Sequence, residues 1–398
     1  MVTFVFVITA ISGLIWCFLL GGWGNFWRCD QVLNFEHSSS LKEYPPVAAI
    51  IPARDEANVL GQSLPSLLQQ HYPGLLKIIL VDDQSSDGTG AVAQRIATDL
   101  GHGDRLEVVS GQPLPPGWSG KLWAVEQGWQ TVQSDKQSPE PWPEYIFLTD
   151  ADIAHGRQTI KTLVEKAQRE NLALVSLMVL LRCESAWEKL LIPAFIFFFQ
   201  KLYPFPLVNN PHHKTAAAAG GCILMQRSAL QTIGGIEALK EALIDDCTLA
   251  QKLKTQKLPI WLGLTRENWS LRPYDRLETI WQMVSRTAYT QLDYNPLLLL
   301  GTLLGMALVY LTAPVALVSA IIWGNTSLAL VGAFTWVLMV IAYGPTLKFY
   351  GRSRLWGLTL PLIALLYSLM TLDSAWQHWQ GRGGAGKVGF IPRGLNSL

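Results

Sequence analysis

The sequence predicts an α/β protein, a mostly parallel sheet wound with helices and flanked by apolar helices near both ends of the chain. Two observations carry this. Between residues 42 and 292, strand-like apolar runs alternate with helix-like segments, and polar residues collect where the runs end. Outside that stretch, residues 1–27 and 295–347 contain no charged side chain. Composition agrees: of 398 residues 15% are charged, against about 25% in an average soluble chain. A net charge of +1 gives no electrostatic case for nucleic acid as a partner. Five cysteines without a C-x-x-C pair exclude a disulfide framework and a Cys-rich zinc site, and they suit a reduced compartment.

Val2–Leu20 lacks the basic start and small-residue cleavage site of a signal peptide, so residues 1–27 are expected to form a retained transmembrane anchor. The next domain is expected at 42–292. Val47–Ile51 reads as its first strand, followed by Pro52-Ala-Arg-Asp-Glu-Ala-Asn58 and a helix through Gln70. Leu76–Val81 is a second strand running into Asp82-Asp83-Gln-Ser-Ser-Asp87-Gly-Thr89, and Leu106–Val109 a third. Tyr145–Leu148 then runs into Thr149-Asp150-Ala-Asp152. In an extended segment, carboxylates at i and i+2 share a face and can approach one cation. Oxygen ligands suit Mg2+ or Mn2+ better than zinc. The alternative is a polar turn after a strand.

Residues 187–208, broken by Pro193, Pro204, Pro206 and Lys201, are expected to lie as an interfacial helix; a buried core helix is the alternative. Asn209–Thr215 and the small-residue run Ala216–Cys222 have the composition of a mobile acceptor loop. His212 and His213 are adjacent, which disfavours shared metal ligation. Asp245 and Asp246 open a helix, where carboxylates can serve simply as a cap and first-turn charges. Residues 295–373 are expected to hold spans at 297–323 and 328–343 and a shorter segment at 355–372 that is either re-entrant or a third span, with a loose basic tail at 374–398.

Four motifs in order, Ile51-Pro-Ala-Arg-Asp-Glu-Ala57, Val81-Asp-Asp-Gln-Ser-Ser-Asp-Gly-Thr89, Gly120-Lys-Leu-Trp-Ala-Val-Glu-Gln-Gly128 and Thr149-Asp-Ala-Asp152, resemble those of family 2 glycosyltransferases of GT-A fold, the third resembling that family's glycine- and lysine-bearing loop. The segment Ala242-Leu-Ile-Asp-Asp-Cys-Thr-Leu-Ala250, the Arg286 segment and the C-terminal spans are most similar to the hopene-associated glycosyltransferases of bacteria, and more distantly to ceramide glucosyltransferases. The resemblance implies a membrane-bound, metal-dependent, inverting transfer of sugar from a nucleotide-diphosphate donor to a lipid hydroxyl. It places the metal on Asp152 with Asp150 on ribose or metal, and the donor's base on Asp83 or Asp82. Arg54 and Glu56 would line the nucleotide pocket, Lys121 and Arg286 would face the phosphates, and Asp246 would be the general base. For Arg54 and Lys121 the alternative is an ordinary surface charge. The family's Q-x-x-R-W is altered here, since Met283 and Thr287 stand where it has Gln and Trp; this argues against a processive polymer synthase. The resemblance implies the inner membrane of a bacterium, with the catalytic domain cytoplasmic. A transporter or polymer conduit is the first rival, disfavoured by spans without charge. A non-catalytic nucleotide- or lipid-binding protein is the second.

Overall fold

A computed structural model describes residues 1–35, 41–135, 142–240, 242 and 244–382. The chain forms two units: one of Gln31–Arg182 and Leu207–Pro273, the other of Met1–Asp30, Cys183–Pro206 and Tyr274–Leu398. The tail expected at 374–398 is helical as far as Trp379, and its residues from 383 onward lie outside the described ones.

The first unit holds an eight-stranded sheet: β1 (Val47–Ala53), β2 (Leu76–Asp82), β3 (Leu106–Ser110), β4 (Tyr145–Leu148), β5 (Ile153–His155), β6 (Leu174–Leu180), β7 (Ile223–Gln226) and β8 (Ile260–Ser270), ordered β3-β2-β1-β4-β7-β6-β8-β5. The half built from β3, β2, β1 and β4 is parallel, as expected from alternating strands and helices. The β4–β7, β6–β7 and β5–β8 pairs are antiparallel, so the sheet is mixed. On the parallel half, Leu60, Leu64 and Leu67 recur along the helix Ala57–Leu68 and share a buried core with Ala49, Ile51 and Ile78. Burying each such leucine contributes about 1.5–3 kcal/mol.

Two local expectations change. The glycine- and lysine-bearing motif expected as a loop is a helix, Gly120–Ser134, with the Ser119 hydroxyl accepting from Leu122 N at its start. Gly128 lies on the face of that helix that meets the sheet: a Cβ there would stand 2.5 Å from Ile50 Cγ2, so its absence lets helix and sheet approach. The Asp150–Asp152 segment is a turn, not an extended strand. β4 ends at Leu148, and Ile153 N closes the turn on Asp150 O at 3.2 Å before β5 begins. The shared-face argument for the two carboxylates therefore fails, because the chain must reverse to enter an antiparallel strand.

The second unit is helical. Among the described residues, four helices are long and apolar enough to cross a membrane: Val2–Gly21, Pro296–Trp323, Thr326–Phe349 and Arg354–Trp379. At 1.5 Å per residue, the 24 residues of Thr326–Phe349 rise about 36 Å, more than a hydrocarbon core of about 30 Å. Their outward side chains are apolar, including Phe4, Leu14, Ile321 and Phe334. Arg354–Trp379 runs without reversal and past Asp373, so the re-entrant expectation for 355–372 gives way to a one-way helix. A π-turn, Ala307–Leu311, interrupts Pro296–Trp323. Its Val309 carbonyl accepts from Ser12 Oγ at 3.1 Å and Trp16 Nε1 at 2.9 Å. The helix Ala186–Leu202 starts on a Ser185–Glu188 capping box and buries Leu191, Ile192 and Phe197. It is a packed helix of this unit, as the buried-core alternative has it, since Tyr367 OH donates to its Leu191 carbonyl at 3.0 Å.

Candidate active site

The loops after β1 and β2 are stitched together by their own motif residues. Ser86 N donates to Asp55 Oδ1 at 2.7 Å, Glu56 N to Thr89 Oγ1 at 3.0 Å and Ala57 N to Asp87 Oδ2 at 3.0 Å. Asp82 is committed to the same turn, accepting from Ser85 N at 3.0 Å and Gly90 N at 3.1 Å. Asp83 is not: its carboxylate is nearly buried and meets Arg54 Nη1 at 3.5 Å. Burial pushes the Asp83 carboxyl above its usual range, and Arg54 partly offsets this.

A pocket open to solvent lies where the strands end. Pro52, Leu148, Leu122 and Leu249 supply its apolar wall, and Lys121, Asp150, Asp245 and Asp246 its polar one. Lys121 Nζ stands 2.8 Å from Asp150 Oδ1 and 3.7 Å from Asp245 Oδ2. Burial works against its charge, but Asp150, Asp245 and then Asp246 outweigh it and hold the ammonium well above the ordinary lysine range. Asp246 accepts from Gly220 N at 2.8 Å and from Cys247 N at 2.8 Å. Its carboxyl is raised to about 6, by burial first and by Asp245 second, against the pull of Lys121 and the two amides. A Cβ at Gly220 would stand close to both groups, 3.3 Å from Lys121 Nζ and 3.4 Å from Asp246 Oδ2.

Asp152 belongs to a second cluster. Arg272, just beyond β8, donates Nε to Asp152 Oδ2 at 2.7 Å and Nη2 to Glu56 Oε1 at 2.7 Å. Nothing in the sequence near Arg272 announces it. Asp245, read as a helix residue with no further part, pairs with Lys121 as well. Arg286 is exposed at the C-terminal end of the helix Leu277–Ser285 and belongs to the helical unit. His212 and His213 make local loop bonds: His212 N donates to Asn210 Oδ1 at 2.9 Å, and Thr215 N to His213 Nδ1 at 3.2 Å.

Among the described residues no group of three or more His, Cys, Asp or Glu side chains converges on a metal. Mg2+ does not need one, since one or two carboxylates suffice when substrate phosphates and water complete the shell. Glu56, Asp150, Asp152, Asp245 and Asp246 outnumber Lys121 and Arg272, and this surplus of negative charge, on hard oxygen donors, fits a divalent cation.

Residues 48–234 match the family described as "Glycosyl transferase family 2". The chain is similar to "Probable glycosyltransferase YdaM" of Bacillus subtilis, 30% identical over 159 residues, which is 38% of this chain and 34% of that one. It is also similar to the 4,4'-diaponeurosporenoate glycosyltransferase of Staphylococcus aureus, 29% identical over 139 residues, 35% of this chain and 30% of that one. The matches thus span about a third of these relatives' own length. A solved structure of similar fold is the mannosyltransferase PcManGT from Pyrobaculum calidifontis, in complex with GDP-Man and Mn2+. Its TM-score is 0.52 at 17% identity, covering 92% of this chain and 99% of that one.

Proposed function

We propose that this chain is a membrane-bound inverting glycosyltransferase moving a sugar from a nucleotide-diphosphate donor to a lipid hydroxyl, a reading supported by the match of residues 48–234 to glycosyl transferase family 2. The observation that carries the reading is the Lys121 bridge. One ammonium joins Asp150, in the turn after β4, to Asp245 beside Asp246, so a leaving group and a base have places in one pocket. Asp83, with Arg54, accepts hydrogen bonds from the donor's base. Asp150 and Asp152 would hold Mg2+ or Mn2+, which when bound supplies charge that stabilises the departing diphosphate. Lys121 adds its own charge on the same side. Asp246 removes the acceptor proton as the acceptor oxygen bonds to the anomeric carbon and the sugar–diphosphate bond breaks. A carboxyl raised to about 6 is a stronger base than an ordinary aspartate and is still mostly ionised at neutral pH.

The relative named for diaponeurosporenoate and the four apolar helices support a lipid-like acceptor. A hopanoid-type acceptor rests on the sequence resemblance alone. The test is nucleoside diphosphate release from a panel of nucleotide sugars, with lipid acceptors and Mg2+ or Mn2+ present. Asp246→Asn is expected to cut kcat by about 10^2- to 10^4-fold with donor affinity little changed, and chelation to abolish turnover. Near wild-type turnover in Asp246→Asn, or the large loss appearing only in Asp245→Asn, removes Asp246 from the role of base.

A further inference from the structure

Arg272 has no part in the chemistry above, yet the geometry of its bridge between Glu56 and Asp152 is specific. Leu271 N donates to Asp152 O at 2.8 Å, which fixes the backbone of the turn to the residue before Arg272. The guanidinium then reaches both carboxylates at 2.7 Å, through different nitrogens. Asp152 and Glu56 are largely buried, while Arg272 is partly open to solvent. A rigid fork suits this task, and a lysine's single ammonium does not. The same Asp152 Oδ2 that takes Nε–H also lies 3.5 Å from Ser270 Oγ. A divalent ion on either oxygen of Asp152 would stand close to the guanidinium, and the two positive charges repel each other.

We propose that Arg272 is a positioning residue of the donor site: a built-in counter-ion that holds Asp152 and Glu56 ready and keeps a divalent cation off Asp152 until a nucleoside diphosphate brings the cation its remaining ligands. The inference rests on the metal reading above. It makes metal capture dependent on donor, so the pocket does not fill with cation alone.

The test is Mn2+ binding to the full-length protein in detergent, read from the electron paramagnetic resonance of free Mn2+, with and without GDP or UDP. Wild type is expected to bind Mn2+ weakly alone and much more tightly with nucleotide. Arg272→Gln is expected to bind Mn2+ alone about tenfold more tightly, the scale on which residues behind metal ligands act. Arg272→Lys, reaching one carboxylate, should fall between. Both variants binding Mn2+ alone no better than wild type would show a structural clamp only and overturn the proposal. Arg272→Lys keeps the charge, so its affinity decides the matter even if Arg272→Gln fails to fold. If no form binds Mn2+ even with GDP or UDP, the metal reading falls and takes this role with it. If nucleotide promotes Mn2+ binding equally in all three, only the role of Arg272 falls.

Discussion

At the scale of single residues, the protonation of Asp246 governs the expected pH behaviour. A general base works ionised, and burial with Asp245 alongside raises its carboxyl to about 6. Turnover at saturating donor should therefore fall as pH drops through about 6, well above the range of a free aspartate. Lys121 lowers that pKa, so Lys121→Met should move the acid limb of the pH–kcat profile to higher pH. An unmoved limb would mean that the ammonium does not act on the base. Asp83, Lys121, Asp150 and Asp246 were all legible as polar residues at strand and helix ends. The division of labour among them was not. Asp82 and Asp83 are neighbours of one type, and only the turn bonds from Ser85 and Gly90 separate the scaffold residue from the one that meets Arg54. Arg272 lies 120 residues from Asp152, and the β5–β8 pairing brings them together.

At the scale of elements, the helix Asp245–Thr255 links base and neighbouring loop. Its first turn carries Asp245 and Asp246, and near its end Lys254 Nζ donates to the carbonyls of Leu207, Asn210, His213 and Thr215 at 3.3, 2.9, 2.8 and 2.7 Å. Burial lowers this lysine to about 8. Lys254→Met leaves the carbonyls without their donor and should cost about 2–3 kcal/mol, with faster amide exchange over 207–215. Wild-type melting and exchange in the variant would show that the clamp carries no weight. The stretch around it was read as mobile from its small residues alone; composition could not show a lysine 39 residues beyond Thr215 closing on it. Strand runs and their order with helices were readable because apolar periodicity is local. Antiparallel pairing and the turn at Asp150–Asp152 were not, because they depend on which distant strand lies alongside.

At the scale of the whole chain, the proposed use of nucleotide sugars would place the sheet unit in the cytoplasm. Val2–Gly21 then runs inward, and Lys348, Arg352 and Arg354 fall inside, in keeping with the positive-inside rule. If Arg354–Trp379 crosses, as its unbroken length allows, the C-terminus emerges outside despite its basic residues. A cysteine introduced at Gly386 should be labelled by an impermeant reagent in intact cells; labelling only after lysis would mean that the helix does not cross. The π-turn gives this architecture a clock. Val309 leaves the ribosome 293 residues after Trp16, whose indole donates to its carbonyl. At about 5–20 residues per second, the first helix waits roughly 15–60 s in the bilayer before that carbonyl exists. The sheet's last strand is synthesised within the same interval. Biogenesis must therefore shelter an early helix whose partner arrives late, and the helical unit is the last part of the molecule that can be completed.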